Sequence, residues 1–268
     1  MSLPERHPYG PGRSQYVELF RPHRPGPWPV AVVLHGGFWR AQYGRKLMHP
    51  LCVDLAARGW AAVNVEYRRL GRMSGGGFPR TLDDVAAAVD HLAELPAHAQ
   101  VGEPDAIHGG DGGGPGSAAR VRALDLSRVV AIGHSAGGHL AAWLATRPDA
   151  RVRVTAVVAQ AGVLDLRLAS ELRLSRAVVH RFLGGTPAAV PERYAAASPA
   201  ERLPLGVPAL LTHGARDDIV PPVMSERFAQ AARAGGDAVD LVLEAGEGHF
   251  GHLDPGNPLW RPVTAGIR

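Results

Sequence analysis

Six short apolar runs, at residues 30–34, 61–65, 129–132, 154–158, 209–212 and 240–243, recur along the chain and are separated by stretches of helical period. Each is nearly continuous in Val, Ala, Leu and Ile, as expected of strands covered on both faces in a mostly parallel sheet. Helices are predicted at 44–58, 82–95, 137–146 and 223–234. In the second of these, Asp83, Val85, Ala86, Val89, Leu92 and Ala93 keep a helical stripe, and Asp83 and Asp84 suit the positive end of the helix dipole. Alternation of strand and helix predicts a doubly wound α/β architecture, with helices on both faces of the sheet. A length of 268 residues and a hydrophobic content of 46% suffice for one such domain spanning 1–268. Residues 16–20 alternate less clearly and are expected to form an edge strand.

Two stretches interrupt the alternation. Residues 97–122 hold a Gly-rich run at 109–116 and almost no apolar periodicity, so a mobile surface excursion is expected. The run is not a phosphate cradle, because no Gly-Lys-Ser/Thr follows it and no strand precedes it. Residues 165–208 mix short helical pieces with Pro187, Pro191, Pro199 and Pro204 and are placed to form a small cap over the C-terminal edge of the sheet, where ligands enter open α/β folds.

Composition narrows the partners. The net charge of +4 comes from scattered arginines with Lys46 as the sole lysine, so no basic stripe marks a nucleic-acid surface. No uncharged apolar run reaches eighteen residues and residues 1–13 are polar and Pro-rich, from which a cytoplasmic protein without membrane contact is expected. Cys52, the single cysteine, sits in the apolar pattern of Leu47, Leu51 and Leu55 and is expected to be a buried structural thiol. Thirteen histidines invite a metal, yet no His-Glu-x-x-His occurs and His249-x-x-His252 lacks a third ligand nearby, so no metal is expected. A homodimer is compatible with this composition.

The strongest local signal is Gly133-His134-Ser135-Ala136-Gly137, placed between an apolar run and a helical segment. That context is a nucleophile elbow: a sharp strand-to-helix turn holds the serine in a strained conformation and exposes Oγ at the helix N-terminus. Ser135 is the candidate nucleophile. A serine hydroxyl needs a base, and the base needs a carboxylate to orient it. Asp217 follows the run at 209–212 and His249 follows the run at 240–243, so both stand in loops beyond strand ends, in an order that suits such a triad. Asp218 and Asp165 compete for the acid role and His252 for the base. Because imidazole must be neutral to accept a proton, activity is expected to rise as pH passes through about 6 to 7.

Developing negative charge on a carbonyl oxygen needs N–H donors. Gly36 and Gly37, directly after the run at 30–34, and Ala136, beside the nucleophile, are the candidates. Phe38, Trp39, His134 and Phe250 flank these loops and are candidate substrate-pocket residues, although the aromatics serve equally as packing. His35 is expected to order its loop rather than transfer protons.

Taken together, HGGFW at 35–39, EYRR at 66–69, FPRTLDDV at 78–85, GHSAGGHLA at 133–141, HGARDDIVP at 213–221, and GHF at 248–250 with DP at 254–255 resemble the α/β-hydrolase superfamily. More narrowly they resemble its branch of kynurenine formamidases (arylformamidases) and small carboxylesterases. The resemblance implies an α/β-hydrolase fold, a serine hydrolase with the triad Ser135, Asp217 and His249, and Gly36, Gly37 and Ala136 in the oxyanion positions. It implies small ester or amide substrates, cleaved without a cofactor. A carboxylesterase is expected, with an arylformamidase as the alternative and a non-catalytic small-molecule binding protein as the alternative from another class. The fold does not decide among them.

Overall fold

The computed structural model describes residues 3–95 and 123–267. Eight strands form one sheet: β1 (Glu5–Pro8), β2 (Tyr16–Phe20), β3 (Trp28–Leu34), β4 (Ala61–Glu66), β5 (Leu124–His134), β6 (Ala156–Gln160), β7 (Ala209–Gly214) and β8 (Val239–Glu244). Their order is β1-β2-β4-β3-β5-β6-β7-β8. β2 pairs antiparallel with both β1 and β4, and every later pairing is parallel. This is the α/β-hydrolase fold, and six of its strands coincide with the six apolar runs.

The two-residue period of a strand explains why those runs are apolar throughout. Val30, Val32 and Leu34 of β3 belong to one buried apolar cluster with Leu82 and Val85 of α2 (Arg80–Asp90), Leu140 of α3 (Ala136–Ala145) and Phe228 of α7 (Val223–Ala234). Ala31 and Val33, pointing the other way, pack with Leu51, Cys52 and Leu55 of α1 (His49–Ala57) and Val263 of α8 (Arg261–Gly266). Cys52 is fully buried, and burial pushes its thiol pKa well up, so it is an inert core residue.

Two expectations are corrected. Residues 16–20 are an interior strand rather than an edge, with all five side chains buried, because β1 pairs along their outer side. β1 itself lies in the polar N-terminal stretch, where its alternating half-buried and exposed residues carry no apolar signal. The helix expected over 44–58 begins instead at His49, after a 3₁₀ turn at Arg45–Met48. Pro50 sits in the first turn of α1, where its missing N–H costs nothing and its ring ends any helix running in from before.

Between β6 and β7 the chain forms α4 (Leu166–Glu171), α5 (Leu174–Leu183) and α6 (Pro191–Ala197). The Gly-rich stretch at 97–122 lies outside the described residues. Among the described residues no helix is long and apolar enough to cross a membrane.

Candidate active site

β5 runs into α3 through Ser135, whose backbone stands at φ 57° and ψ −117°. A non-glycine residue held there stores about 1–3 kcal/mol of strain, and the surrounding contacts impose it. The Ser135 amide donates to the Gln160 carbonyl of β6 (2.7 Å), and its carbonyl accepts from His139 and Val163 (3.2 Å each). A Cβ on Gly133 would run into the Gly137 carbonyl, so the elbow closes only with glycine there.

Asp217 and His249 arrive from the turns after β7 and β8. His249 Nδ1 donates to Asp217 Oδ2 at 2.6 Å, which fixes the tautomer and leaves a lone pair on Nε2. The other oxygen, Oδ1, accepts from the Ile219 and Val220 amides, both at 2.9 Å. His213 is a partner of the carboxylate that sequence reasoning missed. Its Nε2 donates to the Val220 carbonyl (2.7 Å) and lies 3.2 Å from Asp217 Oδ2, while its Nδ1 accepts from the Ser225 hydroxyl (2.7 Å). Burial alone would raise the Asp217 pKa, but the hydrogen bonds from His213 and His249 outweigh it and hold the carboxyl well below its ordinary range.

The competing acids and base stand elsewhere. Asp165 caps α4, its Oδ1 accepting from the Arg167 and Leu168 amides (2.9 and 3.0 Å). Asp218 is exposed. His252 is buried with Nδ1 3.3 Å from the Thr212 hydroxyl.

Ser135 and His249 line one cavity of about 160 Å³, together with Gly37, Phe38, His134 and Phe250. His134 does more than face it. Its Nε2 donates to the His249 carbonyl (2.9 Å), tying the residue before the nucleophile to the backbone of the imidazole-bearing turn. Phe250 is 62% exposed at the rim. Trp39, expected as a pocket residue, is corrected: it is 1% exposed and absent from the cavity wall, stacked on Phe182 of α5 (4.4 Å between ring centres) with Nε1 donating to His139 Nδ1 (3.3 Å). A run of left-handed φ values at Gly37, Phe38 and Trp39 (107, 50 and 55°) turns the indole inward and leaves Phe38 at the cavity.

The loop before it is anchored from beneath. His35 Nδ1 faces the Gly36 carbonyl at 2.8 Å and Nε2 faces Glu66 Oε1 at 3.2 Å, with the ring stacked on Tyr67 (4.3 Å). Glu66 also receives the Tyr67 amide (3.2 Å) and pairs with Arg69 (3.3 Å). Burial works to raise the Glu66 pKa, and the His35 hydrogen bond and charge bring it below the usual value. In a trans peptide C=O and N–H point oppositely, so holding the Gly36 carbonyl turns the Gly37 N–H away from the His35 ring. Gly36 itself must be small: a Cβ there would stand 2.9 Å from Ser135 Cβ and 2.8 Å from the His134 carbonyl. Ala136 opens α3, where first-turn amides lack intrahelical partners.

Comparison with known proteins gives the family. Residues 116–257, just over half of the chain, match the prolyl oligopeptidase family. The chain belongs to the prolyl oligopeptidase family. This protein is 28% identical over 259 residues to esterase LipQ of Mycobacterium tuberculosis, covering 90% of this chain and 55% of that one. It is also 28% identical over 273 residues to esterase LipC of the same organism, covering 92% and 59%. The chain thus spans about half the length of the curated relatives it matches. Among solved structures it is similar to the thermophilic esterase Est2 of Thermogutta terrifontis, with 22% identity, a TM-score of 0.69 and coverage of 98% of this chain and 88% of that one. A bifunctional GH43-CE protein of Bacteroides eggerthii gives 22% identity and a TM-score of 0.70 over 91% of this chain and 35% of that one. At this identity the two structures speak for the fold alone.

The buried histidines His134 and His139 lead to an expected sensitivity to acid. Burial, with the nearby His249 charge adding to it, pushes His134 down to about 3; burial pushes His139, whose Nε2 donates to the Ala197 carbonyl (2.9 Å), down to about 4. An unfolded histidine titrates near 6.5. Between about 6.5 and 4 the unfolded chain therefore binds more protons than the folded one, and stability falls as pH falls through that window. Asp217, with its lowered pKa, adds a loss only below the ordinary carboxylate range. Tm is expected to drop by at least about 4 °C from pH 7.5 to pH 5, measured by calorimetry; an unchanged Tm would contradict the neutral burial of these rings.

Proposed function

We propose that this chain is a serine hydrolase that cleaves small carboxylic esters through an acyl-enzyme, with Ser135 as nucleophile, His249 as base and Asp217 as the acid that orients it. The observation that carries the reading is the 2.6 Å Asp217–His249 hydrogen bond at a cavity that Ser135 also lines. Similarity to LipQ and LipC, both named esterases, supports it. Ser135 Oγ bonds to the substrate carbonyl carbon as His249 Nε2 takes its proton, and the tetrahedral oxyanion rests on the Gly37 and Ala136 amides. Collapse expels the alcohol, which leaves with the proton from His249. Water, deprotonated by the same nitrogen, then attacks the acyl carbon and frees Ser135 and the acid. No step calls on a cofactor.

Glu66 acts here as a positioning residue, holding His35 and through it the Gly36–Gly37 peptide. Glu66→Gln is expected to lower kcat by about tenfold, a fraction of the 10²–10³ lost when an oxyanion donor is removed. KM should change little, because the donor matters most once charge has developed. Steady-state kinetics on a p-nitrophenyl ester checks it: a change confined to KM would place Glu66 outside oxyanion stabilisation.

A second reading, hydrolysis of aryl formamides such as N-formylkynurenine, draws on Phe38 and Phe250 at the cavity, whose rings suit an aromatic leaving group. Comparing kcat/KM for a short-chain p-nitrophenyl ester and for N-formylkynurenine separates the two. Preference for the ester is expected; strong preference for the formamide would make the chain an arylformamidase. Turnover of neither would favour a binding protein on a hydrolase scaffold.

A further inference from the structure

The wall of the Ser135 cavity carries a cation, Arg40, that no carboxylate among the described residues neutralises. Arg40 follows directly on the left-handed run of the Gly37 loop, its amide donating to the Gly37 carbonyl (3.0 Å), and it lines the cavity. Among the described residues its one side-chain hydrogen bond is from Nη2 to the Ser175 carbonyl of α5 (2.9 Å), and no Asp or Glu stands within ion-pair distance. Nε is buried without any partner. Ser175 can receive the guanidinium because it opens a left-handed run with Arg176 and Ala177 (φ 46, 61 and 54°), which takes its carbonyl out of the helical ladder.

Other arginines of this chain show what is missing. Arg45 pairs with Glu18 at 2.6 Å, Arg68 with Asp84 at 2.6 Å, Arg69 with Glu66 at 3.3 Å and Arg147 with Asp90 at 2.5 Å. Among the described residues Arg40 has only a neutral carbonyl, and no acidic one lines the cavity beside it. A half-buried guanidinium with its Nε shut off from water and one neutral acceptor keeps unused donors, and an entering anion would take them up through charge-assisted hydrogen bonds. The Ser175 contact meanwhile fixes the plane of the group in advance.

We propose that Arg40 is a specificity-determining residue that selects substrates bearing a carboxylate near the scissile ester or amide bond. This rests on the serine hydrolase reading of the same cavity. The preference should weaken as ionic strength rises, since part of it is attraction between the carboxylate and the Arg40 charge across partly hydrated space.

The test uses two esters with the same scissile acetyl group, 4-acetoxybenzoate and its neutral methyl ester. The readout is the ratio of their kcat/KM values in wild type, Arg40→Gln and Arg40→Lys. The ratio is expected to fall by about tenfold or more in Arg40→Gln, the scale of one charge-assisted hydrogen bond, with Arg40→Lys between the two. An unchanged ratio, including a parallel fall on both esters, would overturn the proposal and leave Arg40 as a mere tether for Ser175. If wild type cleaves neither ester, the hydrolase reading fails by itself, and calorimetric binding of 4-acetoxybenzoate decides about Arg40. Binding weakened about tenfold by Arg40→Gln would keep the anion site; binding that is absent or insensitive to Arg40 would remove it.

Discussion

Ser135→Ala is expected to lower kcat/KM on a p-nitrophenyl ester by about 10⁴-fold or more, with Tm unchanged within a degree or two. A loss of this order is expected because the other hydroxyls along the cavity wall, those of Tyr43 and Ser175, follow no elbow and, among the described residues, hydrogen-bond to no histidine. The backbone hydrogen bonds that impose the φ of 57° at residue 135, to Gln160, His139 and Val163, involve no side-chain atom of Ser135, so alanine keeps the elbow. Residual turnover would come from the oxyanion donors acting on water. Retention of more than about 1% of the activity would remove Ser135 from the nucleophile role.

Asp217→Asn is expected to cost about 10⁴-fold in kcat, the scale of a lost base-orienting carboxylate. Both carboxylate oxygens act only as acceptors here. Oδ1 meets the Ile219 and Val220 amides, which cannot give up their protons, while Oδ2 meets the rings of His249 and His213. The new amide nitrogen is therefore driven to the Oδ2 side, where His249 must turn to the tautomer that accepts at Nδ1 and carries its proton on Nε2. That imidazole cannot take the serine proton. Kinetics at pH 7.5, with circular dichroism to show retained folding, checks it. A loss below about tenfold would mean that His249 is oriented by other contacts, such as the His134 hydrogen bond to its carbonyl.

The core of the fold and the outline of the candidate site were legible along the chain because both are governed by local rules. A strand buried on two faces is apolar at every position, which marked β3 to β7, while the edge strand β8 showed an apolar run although it is largely half-buried or exposed; an elbow needs small residues around a serine between a strand and a helix, which singled out Ser135. Asp217 and His249 stood out because each follows a strand end, and parallel strands bring their ends to one edge of the sheet.

What tertiary structure alone decided are the contacts between segments distant in sequence. β1 exists because its backbone pairs with β2, not because its residues favour a strand. Trp39 looked like a pocket residue beside Phe38 until three left-handed residues turned it into the core against Phe182, 143 positions further on. Asp165 carries the same carboxyl as Asp217, but it lies at the start of a helix that uses it as a cap. His213 and Glu66 gained their places, and Arg40 its uncompensated charge, from loops that meet only once the sheet has formed. The periodicity of apolar residues records which face each element buries; the partner a polar group finds depends on geometry accumulated over the whole sheet, and no local pattern encodes it.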